Sequence, residues 1–131
     1  MNTKLIMTVS AVLLAAAGIG LSFFPNEIAN YIGLDYTKTS HLVMQILGAL
    51  YFGFGMLNWM AKGSIVGGIY NKPLVIANLS HFAIGALALI KGLMSISHPP
   101  YQLVILTGIY TILGILFGIL FVRHPASDTS A

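Results

Sequence analysis

Cysteine is absent from the sequence, which excludes disulfides, thiolate metal sites and thiol catalysis. Acidic side chains are nearly absent as well: Glu27, Asp35 and Asp128 are the only three. Charged residues of both signs make up 7% of the chain, against roughly a quarter in an ordinary soluble domain. So few charges cannot coat a water-facing surface. A chain of 131 residues is also too small to hide its apolar excess in a core. With 57% hydrophobic residues and a mean hydropathy of +0.90, that excess must face lipid.

Catalytic signatures are missing too. There is no Ser-His-Asp set, no HExxH, no phosphate loop and no pair of intramembrane carboxylates. Proton-coupled transport usually relies on an acid at membrane depth, and all three acids lie outside the apolar runs. Lys4, Lys38, Lys62, Lys72, Lys91 and Arg123 are scattered singly, so no basic track for nucleic acid exists. The residues predict no catalytic group, no metal site and no cofactor.

What the sequence has is four apolar runs, residues 5–24, 42–61, 74–96 and 103–122. Each approaches the roughly 20 residues that cross about 30 Å of hydrocarbon as a helix. In lipid the backbone must satisfy its own hydrogen bonds, and these runs are too long for barrel strands. Pro25-Asn26, Gly67-Gly68 with Pro73, and Pro99-Pro100 punctuate them. The expected fold is an all-α membrane protein, an up-down-up-down bundle of four transmembrane helices in one domain covering residues 1–131. Lys4, Lys62, Lys72 and Arg123 fall on one side, Lys38 and Lys91 on the other. The basic excess predicts that the first side, with both termini, is cytoplasmic. Lys4, residues 5–14 and Ala15-Ala16-Ala17 also fit a cleavable signal peptide. The apolar run continues to Phe24, which favours a retained helix.

The first loop predicts a short interfacial helix, with Pro25 in its first turn and Gly33 past its end. Ile28 and Ile32 would share its membrane-facing side. Each long run carries small or polar residues at three-four spacing, the pattern of interfaces between lipid-embedded helices. The stripes are Thr8, Ala11, Ala15, Gly18 and Ser22 in the first run, and His41, Met44, Gly48, Tyr51, Gly55, Asn58 and Lys62 in the second. In the third they are Asn78, His81, Gly85, Ala88, Gly92 and Ser95, and in the fourth Thr107, Thr111, Gly114 and Gly118.

Polar residues at membrane depth mark sites more often than chance. Asn58, Trp59, Asn78 and His81 group toward one end of the second and third runs, with Thr8 and Ser10 at the same depth. Their functional reading is a small-molecule site for a lipid-, sterol- or quinone-like ligand, with His81 as a titrating group. Their plain reading is interhelical glue, and Trp59 beside Lys62 as an interfacial anchor. An axial bis-His haem needs a second His at the depth of His81, and His41, His98 and His124 lie elsewhere. At the other membrane face, Glu27, Gln45 and Lys91 form a candidate polar cluster, with Lys91 either paired to Glu27 or snorkelling to headgroups.

The strings Phe24-Pro25, Ile32-Gly33-Leu34 and Gln45-Ile46-Leu47-Gly48-Ala49-Leu50, followed by a Gly-bearing third helix, resemble the DoxX-like group of small bacterial membrane proteins. The likeness covers the layout of most of the chain. It implies a four-helix bundle in the bacterial inner membrane and, for some members, association with quinone-linked oxidoreductases. It carries over no catalytic residue. The function expected is a non-enzymatic accessory or interaction subunit in contact with membrane lipids, with other membrane subunits or with further copies of itself. An intramembrane small-molecule-binding protein or enzyme stands second, and an oligomeric pore or transporter third.

Overall fold

A computed structural model of the chain describes residues 2–35, 37–63 and 71–123. The described residues form five helices and no strands: α1 (Thr3–Phe23), α2 (Pro25–Ile32), α3 (Lys38–Ala61), α4 (Lys72–Ser95) and α5 (Tyr101–Val122). Four of them, all but α2, are long and apolar enough to cross a membrane. The protein is an all-α, multi-pass membrane protein. The Gly67-Gly68 turn expected from the sequence, together with His124 and Asp128, lies outside the described residues.

Hydropathy places the spans correctly but not their starts, which are set by capping groups. The Asn2 side chain accepts from the Leu5 amide at 3.1 Å and begins α1 at Thr3. Thr37 and Ser40 form a reciprocal capping box, 3.0 Å and 2.8 Å, so α3 starts at Lys38 rather than at residue 42. Two orphan amides are satisfied there, and the helix gains a polar turn that an apolar scan cannot see. Pro73 sits in the first turn of α4, and Pro100 in extended geometry precedes α5.

Helix α2 forms as expected. Pro25 occupies its first turn and Gly33, at φ 70°, ends it in the left-handed region that glycine tolerates. Ile28 lies over Gly20 of α1, while Ile32 remains exposed on the side available to a membrane surface.

The contacts divide the chain into two compact units, Met1–Gly63 and Ser64–Ala131. In the first, α1 and α3 run antiparallel with backbones in direct contact. A methyl group added at Gly55 would meet the Ala15 nitrogen at 2.7 Å and the Ala11 oxygen at 2.9 Å. One added at Gly18 would meet the Phe52 nitrogen at 2.5 Å, and one at Gly48 the Gly18 oxygen at 2.8 Å. These are the small-residue stripes expected of the first two runs. Packing this close replaces the hydrophobic drive that lipid does not supply.

In the second unit, α4 and α5 are also antiparallel, but aromatic rings fill the seam. Phe82 of α4 stacks on Phe117 of α5 at 5.7 Å and meets Tyr110 edge-on at 5.3 Å. Gly114 and Gly118 face α4, near the Phe82–Ala83 backbone and Leu79, so this GxxxG pair is used within the chain. The α4 stripe is only partly realised. Asn78 is buried, but Ala88 and Ser95 are exposed, Gly92 borders open space, and the other buried positions are Val75, Phe82 and Ala86. The bulky Phe82 takes the seam, which turns the outer half of the glycine stripe away from it.

Gly55→Ala should therefore destabilise the protein by about 1–3 kcal/mol, because backbone cannot yield as a side chain can. Gly53→Ala, which meets nothing within 4 Å, should leave stability unchanged or slightly raised. Thermal unfolding in detergent micelles reads both. Equal behaviour of the two variants would rule out backbone contact as the fastener.

Candidate functional site

The first unit holds the α3 members of the expected site. Asn58 is fully buried, and its Nδ2 donates to Ser10 Oγ at 3.1 Å across the α1–α3 seam. Ser10 Oγ in turn donates to the Met7 carbonyl at 3.0 Å. This chain returns the buried amide to the backbone of α1, where an unbonded amide would cost several kcal/mol. It brings together Asn58 and Ser10, which the sequence places at one depth. Trp59, one residue on, is exposed instead of facing the seam. The Lys62 ammonium lies 2.8 Å from the centre of its ring, a cation–π contact.

The second unit holds the remaining two. Asn78 is fully buried on α4, and its Nδ2 donates to the Leu74 carbonyl at 3.0 Å. His81 is half-buried, with Nε2 3.3 Å from the Tyr110 hydroxyl of α5. Its ring lies edge-on to Phe82 at 4.9 Å and tilted to Tyr110 at 5.5 Å. The tautomer of His81 decides whether the phenol donates or accepts. Thr107 and Thr111 on α5 donate to the Leu103 and Thr107 carbonyls of their own helix, at 2.7 and 2.8 Å.

At the far end of the first unit, His41 Nδ1 bonds Asn26 Oδ1 at 3.2 Å and ties α3 to α2. Gln45 Nε2 donates to the Ser22 carbonyl at 3.4 Å, across α1 and α3. Glu27 is exposed in the first turn of α2, where its charge complements the helix dipole. Lys91 is exposed on α4 of the second unit, and its carbonyl accepts from Ser95 Oγ at 2.8 Å. Of the expected Glu27–Gln45–Lys91 cluster, Gln45 thus serves as a fastener between helices and Glu27 is exposed.

Two residues stand out that the sequence reading passed over. Tyr110 is buried between His81 and Phe82, on the α5 face that also presents Thr107 and Gly114. Its three-residue spacing from Thr107 was the available signal. Gln102 carries a buried Oε1 with no hydrogen-bond partner among the described residues, two residues past Pro100 in the first turn of α5. Among the described residues, no group of three or more His, Asp or Glu side chains is placed to hold a metal ion.

Fold and geometry together define the class: a multi-pass α-helical membrane protein in which polar side chains at membrane depth bond neighbouring helices or the backbone of their own. Comparison with known proteins finds no matching family model, no similar curated protein and no similar solved structure.

A double-mutant cycle separates glue from site. Asn58→Ala and Ser10→Ala should each destabilise the fold and couple by about 0.6 kcal/mol, the usual size of a hydrogen bond between membrane helices. Strict additivity in detergent unfolding would mean that the contact holds nothing.

Proposed function

We propose that this chain is a non-enzymatic accessory or interaction subunit of the bacterial inner membrane, with both termini cytoplasmic. One observation carries the reading. Polar side chains at membrane depth are engaged within the protein, across helices in Asn58–Ser10 and His81–Tyr110 and along their own helix at Asn78, Thr107 and Thr111. The surface left to the outside is apolar side chains such as Leu42, Ile46, Leu50, Ile84, Leu87 and Ile112. A protein built this way acts through what packs on its helices. The scarcity of acids and the small-residue stripes agree with it, as does the resemblance to the DoxX-like group.

A second reading is small-molecule binding, with Asn58, Trp59, Asn78 and His81 as its residues. It is favoured by the half-exposed His81 ring beside the Tyr110 hydroxyl, which offers a polar contact at membrane depth.

Gentle extraction from the host membrane followed by native mass spectrometry tests both. Stoichiometric co-purifying membrane polypeptides, cross-linked to the exposed apolar faces, are the expected result. A monomer without partners in native membranes would sink the accessory role. A reproducible small-molecule adduct that disappears in His81→Ala, with the fold intact, would replace it with the second reading.

A further inference from the structure

The exposed side of the α1–α3 pair carries a groove. Two cavities, of about 480 and 390 Å³, lie end to end along it and share Ile19. One is floored by Gly18 and walled by Phe23 and Phe52. The other is floored by Ala15 and Gly55 and reaches Trp59. The glycines that let the backbones touch also leave no side chains to fill the seam from outside. Ala16 and Ala49 on its rim are exposed, so the groove is open. From Val12 to Phe23 it follows α1 for about 17 Å, roughly the depth of one lipid leaflet.

Charge marks one end. The Lys62 ammonium sits over the Trp59 ring where the groove finishes. Lys4, in the first turn of α1, lies at the same end because α1 and α3 are antiparallel. The acids of this unit, Glu27 and Asp35, belong to the opposite end, where they outnumber its one base, Lys38. An occupant must therefore be apolar along its length and anionic at the Lys62 end.

We propose that this groove holds an acyl chain of an anionic phospholipid, with the headgroup phosphate against Lys62. The chain packs over Gly18, Ala15 and Gly55, and the Trp59 ring sits at the level where hydrocarbon meets headgroup. A zwitterionic lipid gains less, because its own cation opposes Lys62. A second copy of the chain is a poorer occupant: it crosses the membrane in the same sense and brings its own Lys4 and Lys62 to the same end. The site does not depend on whether the chain has a protein partner.

The test uses the full chain, reconstituted with equal amounts of phosphatidylglycerol and phosphatidylethanolamine of matched acyl chains, and native mass spectrometry of the released protein. Phosphatidylglycerol should be retained about fivefold over phosphatidylethanolamine, the preference expected of one lysine near the membrane surface. Lys62→Gln should bring the ratio close to one. Ala49→Phe, at an exposed rim position, should remove both adducts while circular dichroism shows unchanged helix content. Ala16→Leu fills the groove from α1 and repeats the test should Ala49→Phe misfold. Equal retention of the two lipids by the parent chain would overturn the proposal. So would an undiminished adduct in a folded groove-filling variant, or a lipid-free dimer that the filling variant dissociates.

Discussion

At Gly48 the backbone of α3 rests on that of α1, and a single methyl group would not fit between them. In water, two apolar helices are pressed together by the solvent they release. In lipid the surrounding chains are as apolar as the helices, so that pressure vanishes. What remains is dispersion between atoms brought very close, with Cα–H contacts to carbonyl oxygens worth about 0.5–1 kcal/mol each. Glycine at 18, 48 and 55 permits the approach at three levels of the pair. Once it is set, the register follows: Ser10 reaches Asn58, and the Ser22 carbonyl reaches Gln45. The polar bonds are consequences of the glycine contact and reinforce it.

The second pair meets the same constraint differently. Tyr110 packs against Gly85, and Phe82 stacks between helices on Phe117. Flat rings bring many atoms into contact without requiring the backbones to touch, which is why a methyl group added at Gly114 would meet the Phe82–Ala83 backbone at an ordinary 3.5 Å. His81 closes this cluster with its bond to Tyr110. One unit is thus held by the absence of side chains and the other by their bulk.

Both solutions leave the same kind of exterior. Nearly every side chain that could carry chemistry inside a span is drawn into a bond with its own or a neighbouring helix, and aliphatic side chains face outward. Trp59 and Lys62 are the exception, because their aromatic face and charge stand at the end of an open groove.

Much of this was legible in the residues themselves. Four spans follow from run length, the helix in the first loop from Pro25 and Gly33, and the α1–α3 seam from small residues at three-four spacing. The depth grouping also brought Ser10 and Asn58 to one level correctly. The start of α3 was missed because a capping box is polar and local. The α4 stripe was only partly right because Phe82 takes the seam and leaves Gly92 outside it, and Tyr110 was overlooked because the α5 stripe was traced through Thr107, Thr111 and Gly114. The sequence by itself determined the number and helical state of the spans, since bilayer thickness and backbone hydrogen bonding act on each segment alone. The tertiary structure alone decided which way each helix turns: that Trp59 faces out while Asn58 faces in, and that His81 meets Tyr110. Helix rotation is settled by a neighbour's shape, and no run of residues contains its neighbour.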